Sequence, residues 1–341
     1  MTNYFIDFDF PAQFEGVGKY AATSKARYDV TKIVMEITAV KRIVITRNYS
    51  NKCVGPIEVV LKLYKVLRDL PIGSSIFVQY PFVNLNAFKF ISRFFNKYRV
   101  IALIHDLPSY RYTDKGIIED EIRVLNSFSN IIVHSENMSK ILKRDGLKSD
   151  VIVLGMFDYL LSENQSNVKE SNAIVFAGAL KKSKFLCGLQ KLSLSMTFFN
   201  LYGRDLPEGA ATERVRYKGV FNPNEIATIS GEWGLLWEGN SIDTCSGNFG
   251  DYLKIIAPHK FSLYIACGLK IICWEQSAMA DFVKKENIGF TINNLSEIEK
   301  KMALISDTEK RDMEKNIESI SKKVRTGGFL KEALNKLNIS K

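Results

Sequence analysis

The chain has 341 residues, more than one hydrophobic core usually serves, so two domains are expected. Hydrophobic residues make up 46% and charged residues 25% of the chain, which excludes a disordered or collagen-like protein. No apolar run approaches the ~20 residues that cross a bilayer. The start lacks the basic and then apolar pattern of a signal peptide, so we expect a cytoplasmic protein.

The net charge of +10 suits a partner that carries many negative charges. No zinc finger, basic heptad region or aromatic RNP-like sequence accompanies it, which argues against nucleic acid. Phosphate-bearing substrates and lipid head groups therefore remain. The five cysteines include no CxxC pair, and His105, His134 and His259 lie far apart, so we expect neither disulfides nor a metal site.

Short β-branched and aromatic runs alternate with helical patterns, which predicts parallel sheets built from βαβ units. In the first half the predicted strands are Tyr4–Phe10, Arg42–Arg47, Ser75–Gln79, Arg99–Ile104, Asn130–His134 and Asp150–Leu154. The predicted helices between them are Lys25–Val40, Gly55–Leu70, Ala87–Tyr98, Lys115–Phe128 and Ser135–Asp145.

The polar segment Asp158–Asn172 lacks periodicity and predicts a linker. Strands then resume at Ala173–Ala177, Thr197–Tyr202, Val215–Lys218, Gly234–Trp237, Lys270–Cys273 and Gly289–Ile292. The predicted helices here are Asn222–Ile229, Pro258–Cys267, Ser277–Lys285, Ser296–Val324 and Gly328–Leu337. The fold class is thus α/β, with two Rossmann-like domains expected to face each other across a cleft.

The strongest local signal runs from Ala257 to Ile272, where a short loop opens a helix at Pro258. The helix ends at Gly268 and an apolar strand follows. A helix amino terminus attracts phosphate, and Lys260 in the first turn adds a full positive charge. An ordinary αβ unit with an exposed lysine is the alternative interpretation.

This segment resembles the donor-site signature of glycosyltransferases with the two-Rossmann (GT-B) fold. The matching positions are Pro258, Lys260, Tyr264, Ala266, Gly268, Ile271 and Ile272. The resemblance implies that Lys260 meets the donor diphosphate, with Pro258 and His259 beside it. Many relatives carry a ribose-binding glutamate three positions after the lysine, where this chain has Leu263.

Other motifs resemble the bacterial galactofuranosyltransferase and streptococcal glycoprotein-glucosyltransferase group, over nearly the whole chain. They are Gly16-Val17-Gly18 leading to Ser24–Val30, Ile104-His105-Asp106, Phe176-Ala177-Gly178, Tyr217–Glu225 and Gly234–Trp237. The resemblance implies an acceptor-binding domain over 1–158 and a nucleotide-sugar domain over 172–322. It also implies that residues 323–341 form a helix packing back on the first domain.

His105 and Asp106 end an apolar strand, and hence lie at the carboxyl edge of the first predicted sheet. A carboxylate there could remove the acceptor proton, and a histidine could bond the donor sugar. The alternative is that Asp106 caps the following turn and His105 is structural. Glu15, in the glycine-rich loop, is the second candidate base.

Gly16, Val17 and Gly18 also fit the dinucleotide fingerprint G-x-G-x-x-A, although residues 11–15 separate them from the first strand. Since Arg47 ends the next strand and could hold a 2′-phosphate, an NADP-dependent oxidoreductase is an alternative function. In a glycosyltransferase these glycines form a backbone loop near donor phosphates or acceptor.

A donor site without metal or cofactor needs cations for the leaving diphosphate. Lys181 and Lys182, just after Gly178, and Arg204 are available besides Lys260. Tyr217 is expected to flank the uracil ring or to pack in the core. Asp7-Phe8-Asp9 resembles a D-x-D metal motif, but at the amino terminus it is expected to be structural.

One helical pattern places Phe88, Ile91, Phe95 and Tyr98 on one face among basic residues. Such a face could rest on the anionic inner surface of a membrane that carries a lipid-linked acceptor. A crossover helix packed in a βαβ unit has the same pattern.

The sequence therefore predicts transfer of a hexose, galactofuranose or glucose, from a UDP-sugar to a hydroxyl of a lipid-linked or protein-linked glycan. A non-catalytic sugar-nucleotide-binding partner protein is a further alternative. A homo-oligomer stays open, since no heptad singles out an interface.

Overall fold

A computed structural model describes residues 3–9, 22–46, 54–162 and 165–338. The described residues form two compact units. The first comprises those of Met1–Lys19, Arg27–Gly155 and Leu330–Lys341, and the second those of Tyr20–Ala26 and Met156–Phe329. Each unit is built around one parallel sheet.

The first sheet has six strands: β1 (Asn3–Asp9), β2 (Val40–Thr46), β3 (Ser75–Tyr80), β4 (Arg99–Ile104), β5 (Asn130–Val133) and β6 (Asp150–Val153). Their order in the sheet is β2-β1-β3-β4-β5-β6, and every pair is parallel. The helices are α1 (Ala22–Ile37), α2 (Val54–Asp69), α3 (Leu85–Ile91), α4 (Pro108–Tyr112), α5 (Lys115–Leu125) and α6 (Glu136–Arg144). β3 is buried along its whole length, as expected of a central parallel strand.

The second sheet also has six strands: β7 (Ala173–Ala179), β8 (Phe198–Arg204), β9 (Val215–Gly219), β10 (Trp233–Leu236), β11 (Lys270–Trp274) and β12 (Gly289–Ile292). The order β12-β11-β10-β7-β8-β9 is that of the Rossmann fold, with the reversal between β7 and β10. The helices are α7 (Gly247–Tyr252), α8 (His259–Ala266), α9 (Ala280–Lys285), α10 (Ile298–Leu304), α11 (Asp307–Arg325) and α12 (Gly328–Lys336). The prediction of two Rossmann-like α/β domains is confirmed.

Polar side chains redirect the backbone within two of the predicted helices. Over Asn222–Ile229 only Ile226–Thr228 forms a helical turn, of the 3-10 type. Asn222 Oδ1 accepts the N–H of Asn224 instead, at 3.0 Å. The predicted helix Ser296–Val324 is two helices, because Ser306 and Glu309 form a capping box that starts α11.

The ends of the long segment of the second unit are hydrogen-bonded to each other. The N–H of Tyr159 donates to the carbonyl of Val324 at 3.0 Å, and the N–H of Phe329 donates to Asp158 Oδ1 at 3.1 Å. The chain therefore enters and leaves this unit at adjacent points.

The last helix, α12, contributes to the first unit from Leu330 onward. Leu330, Ala333 and Leu334 are buried, and Arg99 Nη2 donates to the carbonyl of Leu337 at 3.1 Å. Among the helices of the described residues, none is long and apolar enough to cross a membrane.

The segment considered for membrane binding, predicted as one helix over Ala87–Tyr98, is α3 followed by a 3-10 helix over Ser92–Lys97. Phe88, Ile91, Phe95 and Tyr98 are buried, so the membrane interpretation of that face is wrong and the packed-helix alternative is confirmed. Phe90 on the opposite side is 49% exposed. The amphipathic pattern thus marks the contact with the core.

Candidate active site

The predicted phosphate-binding lysine lies at the carboxyl edge of the second sheet. Lys260 Nζ is 4.1 Å from the centre of the Phe176 ring, on β7. A Cβ built on Gly178, near the end of β7, would lie 3.6 Å from Nζ. The structure therefore brings together Lys260 and Gly178, which are 82 positions apart in the sequence.

A carboxylate that the sequence analysis did not single out completes this cluster. Glu238 follows β10, and its Oε1 is 2.5 Å from Lys260 Nζ. The Lys260 side chain is 10% exposed and that of Glu238 21% exposed. The pair spans the ends of β7 and β10, the neighbouring strands at which the strand order of the sheet reverses.

The helix that carries Lys260 begins one residue later than predicted, because Pro258 is its N-cap rather than its first residue. The carbonyl of Pro258 accepts the N–H of Phe261 at 2.8 Å. The His259 ring stacks on Tyr159, with ring centres 5.0 Å apart. Lys25 Nζ lies 4.9 Å from the centre of the same Tyr159 ring. The stacking contact with Tyr159 thus holds the His259 side chain at the start of this helix.

Two motif positions have a structural role. The Tyr264 hydroxyl accepts the N–H of Ala177 on β7 at 2.9 Å, and burial raises the pKa of this phenol, which therefore stays neutral. A Cβ on Gly234 would lie 2.4 Å from Tyr264 Cγ, so β10 needs glycine there. Leu263, where many relatives have an acid, is 4% exposed and packs in the core.

The other predicted donor-site residues lie along the same edge. Lys181 and Lys182 are exposed in a 3-10 turn, Leu180–Lys182, directly after β7. Tyr217, 45% exposed on β9, donates its hydroxyl to the carbonyl of Gly203 at 2.9 Å. β9 is two strands from β7, about 10 Å away. Tyr217 is thus accessible but outside the Lys260 cluster.

The ends of β8 and β7 are held by a close backbone approach. A Cβ on Gly203 would lie 1.9 Å from the carbonyl oxygen of Gly178. Only glycine fits at this position without moving β7.

In the first unit, His105 and Asp106 follow β4, as predicted. His105 Nε2 is 2.7 Å from Gln79 Oε1. Asp106 Oδ1 accepts the N–H of Leu107 at 3.0 Å and an N–H of Arg111 at 2.6 Å. Asp106 therefore caps the following turn, as the alternative interpretation predicted, and its carboxylate also pairs with Arg111. The side chain of Asp106 is 28% exposed.

Two buried polar residues behind this edge were missed. Gln79, 2% exposed, also donates to Thr31 Oγ1 at 3.1 Å. Glu121, 3% exposed, accepts the Tyr80 hydroxyl at 2.6 Å, and burial raises its carboxyl pKa. Gln79 could have been found from the sequence, because it is a polar residue near the end of the apolar run Ser75–Tyr80. Glu121 could not, because a glutamate on a helix is not unusual.

Five of the candidate residues fall outside the part of the chain that the structure describes. Glu15, Gly16, Val17 and Gly18 lie outside the described residues, as does Arg47 of the oxidoreductase hypothesis. Within the described parts of the chain, no three His, Cys, Asp or Glu residues group as metal ligands would. Asp7 instead accepts Arg42 Nη2 at 2.7 Å, as a structural residue would.

Comparison with known proteins identifies the family. Residues 12–156 match the N-terminal domain and residues 174–337 the C-terminal domain of the glucosyltransferase 3-like family. The chain is 30% identical over 247 residues to the β-1,6-galactofuranosyltransferase WbbI of Escherichia coli (strain K12), covering 71% of this chain and 72% of WbbI. It is 20% identical over 287 residues to glucosyltransferase 3 of Streptococcus parasanguinis, covering 81% and 82% of the two chains.

Solved structures agree on the fold. Sucrose-phosphate synthase from Thermosynechococcus elongatus superposes with a TM-score of 0.62 at 12% identity, covering 98% of this chain and 99% of the other. The MnaA–UDP co-structure from S. aureus superposes with a TM-score of 0.52 at 11% identity, covering 97% of this chain and 94% of the other. No comparison supports the oxidoreductase alternative. This chain is a GT-B glycosyltransferase, a hexosyltransferase that belongs to the glucosyltransferase 3-like family.

Proposed function

We propose that the enzyme takes its hexosyl group from a UDP-sugar and that the donor diphosphate binds at Lys260. The observation that carries this proposal is the position of Lys260 Nζ at the ends of β7 and β10. Open α/β sheets bind ligands where their strand order reverses. The amino terminus of α8 adds positive potential at the same place.

The sugar and the nucleotide are proposed from the relatives. WbbI is named for galactofuranose and glucosyltransferase 3 for glucose, and the MnaA structure was solved with UDP. Lys181 and Lys182, directly after β7, supply further charge for the departing diphosphate. With these cations the proposed reaction needs neither metal nor cofactor.

The donor proposal is tested by nucleotide binding to Lys260→Ala, measured by thermal shift and titration calorimetry with Mg²⁺ or with EDTA. Loss of a charge-assisted contact to phosphate is expected to weaken UDP binding by tenfold or more. Lys322→Ala is the matched control, since Lys322 pairs with Glu318 on the surface of α11. Equal UDP affinity in both variants, or binding that requires Mg²⁺, would contradict the proposal.

Asp106 is proposed as the base that removes the proton of the acceptor hydroxyl, with His105 beside it. The Asp106 side chain is 28% exposed beside Arg111, so an acceptor hydroxyl could reach its carboxylate. The acceptor is proposed to be a hydroxyl of a lipid-linked or protein-linked glycan.

This assignment predicts a separation of binding from turnover. Asp106→Asn is expected to lower kcat by 10²-fold or more while UDP affinity stays within twofold. Asp120→Asn, which removes a surface partner of Arg123 and Lys89, is the control. Transfer by Asp106→Asn at the normal rate would exclude this base, and no transfer by the unaltered enzyme with any acceptor would favour the non-catalytic partner protein.

A peripheral membrane contact is proposed for the first unit, through a surface other than the predicted one. Leu61 and Tyr64 on α2 are 56% and 38% exposed, and Phe90 on α3 is 49% exposed. Phe94 joins them, with its ring centre 5.0 Å from that of Tyr64 and 5.9 Å from that of Phe90. We call these four residues the aromatic stripe.

Charge decides which partner fits the aromatic stripe. Lys65, Arg93 and Lys97 are exposed on the same segments, and within the described residues none of them forms an ion pair. Apolar side chains flanked by cations match an anionic lipid surface. The enzyme would there meet a lipid-linked acceptor.

Co-sedimentation with vesicles tests this contact. The enzyme is expected to bind vesicles that contain phosphatidylglycerol and not those of phosphatidylcholine alone, and Leu61→Ser with Phe90→Ser should lower partitioning about tenfold. Leu304→Ser is the control, because Leu304 is 75% exposed on α10. If the double variant changes the oligomeric state of the protein but not its binding to vesicles, a second copy of the chain covers the aromatic stripe. That result would refute the membrane contact.

A further inference from the structure

Glu238 presents a difficulty for a diphosphate site. Its carboxylate lies 2.5 Å from Lys260 Nζ, the position that the proposed function gives to a phosphate. A carboxylate and a phosphate repel each other strongly in a site that is mostly removed from water. The Glu238 carboxylate can remain beside a bound phosphate only if another part of the ligand makes a favourable contact with it.

The backbone around Glu238 is fixed on both sides. Trp237 is fully buried, and its Nε1 donates to the carbonyl of Ser241 at 3.0 Å. A Cβ on Gly239 would lie 2.3 Å from the carbonyl oxygen of Ser246, so the turn closes tightly on itself. The N–H of Glu238 points at Cys245 Sγ, 3.4 Å away. The carboxylate therefore cannot leave the edge by a backbone movement without breaking this turn.

When a phosphate takes the place of Glu238 at Lys260, the carboxylate loses its cation. With 21% of its side chain exposed, water alone solvates it incompletely. The donor itself carries hydrogen-bond donors within a few bonds of its phosphates, namely the paired hydroxyls of its ribose and those of the transferred sugar. An acid that accepts from ribose hydroxyls is a recurrent feature of Rossmann-type nucleotide sites.

We infer that Glu238 is a donor-binding residue that exchanges Lys260 for paired hydroxyl groups of the bound sugar nucleotide. Each of its two oxygens can accept a hydroxyl proton, so neighbouring hydroxyls on one ring suit it. The position three residues after Lys260 cannot serve, because Leu263 is buried in the core. This inference rests on the proposed function of Lys260 and adds the part of the ligand that Glu238 recognises.

The experiment compares Glu238→Gln with the unaltered enzyme for four ligands: UDP, 2′,3′-dideoxy-UDP, inorganic pyrophosphate and UDP-glucose. The variant is expected to bind UDP about tenfold more weakly, as for loss of a hydrogen bond to a charged group. It should bind pyrophosphate at least as tightly as the unaltered enzyme, because Lys260 loses its competing partner. The enzyme should discriminate UDP from its dideoxy form, and the variant should not.

The UDP-glucose arm separates the two sources of hydroxyls. If Glu238→Gln keeps the affinity for UDP and loses only the added affinity for UDP-glucose, the hydroxyls belong to the transferred sugar. Equal weakening of UDP and pyrophosphate would show that Glu238 only positions Lys260, and unchanged binding of all four would show that it has no role. Either result overturns the inference.

Two controls keep these outcomes distinct. Glu314→Gln removes a carboxylate 2.9 Å from the buried Lys270, at the opposite edge of the same sheet, and should leave all four affinities unchanged. Thermal unfolding of each variant confirms that it is folded. If the unaltered enzyme binds neither UDP nor pyrophosphate, the proposed function of Lys260 fails, whereas binding without Glu238-dependent discrimination refutes only this inference.

Discussion

The buried side chain of His134 should make the free energy of unfolding of the protein depend on pH. It follows β5, is 2% exposed, and lies with Nε2 2.8 Å from the carbonyl oxygen of Ile104, the residue before His105. Burial lowers the pKa of His134 from 6.5 to about 4, although the hydrogen bond to Ile104 and the charge of Asp106 act in the opposite direction. The native protein therefore holds this imidazole neutral.

The unfolded chain binds a proton at this position below pH 6.5 and the native chain only below about pH 4. The free energy of unfolding consequently falls as the pH falls through this window, because the unfolded state is the one that gains the proton. At pH 5 the loss relative to pH 8 is about 2 kcal/mol for a shift of this size.

Urea denaturation at several pH values between 8 and 5 measures this effect. His134→Gln can still donate to the Ile104 carbonyl but cannot titrate, so its unfolding free energy should depend less on pH by about 2 kcal/mol over this range. His105 and His259 are present in both proteins and cancel in the difference. Parallel pH dependences for the two proteins would refute the reasoning.

Three further changes follow from packing and charge. Gly203→Ala places a Cβ on the Gly178 carbonyl and should lower the unfolding free energy by about 2 kcal/mol or more and weaken UDP binding, as seen by denaturation and calorimetry. Leu263→Glu buries an acid at a position that is 4% exposed, so the melting temperature should fall steeply and donor binding should not improve. Glu299→Gln removes a carboxylate that accepts hydrogen bonds from Ser195, Met196 and Thr197, and these bonds lower the pKa of Glu299 to about 2. The unaltered protein gains stability from this carboxylate above about pH 4.5 and loses it as the pH falls towards 2. The variant should lack this stability at every pH, without any change in UDP affinity.

The sheets could be predicted from the sequence because the strands are nearly continuous apolar runs. The prediction for Arg99–Ile104 matches β4 at both ends, and that for Gly289–Ile292 matches β12. The split at Ser306 was also visible in principle, since Ser306 and Glu309 have capping-box spacing. Local patterns of this kind depend on neighbours in the chain.

The candidate site could be predicted only in part. Lys260 could be predicted because a proline, a lysine and a helix pattern occur within one turn. Glu238 could not be predicted, because its partner Lys260 lies 22 positions further along the chain, on α8, and the two meet only when α8 packs beside β10. The buried face of Phe88 and the exposed Phe90 show the same limit, since periodicity identifies a stripe but not what covers it.

The return of the chain to the first unit after Phe329 has a practical consequence for truncation. A protein shortened at Gly328 would keep every strand of the second unit intact and would instead uncover apolar surface on the first unit, where Leu330 and Leu334 are buried. Loss of the carboxyl-terminal residues should therefore destabilise the first unit before the second.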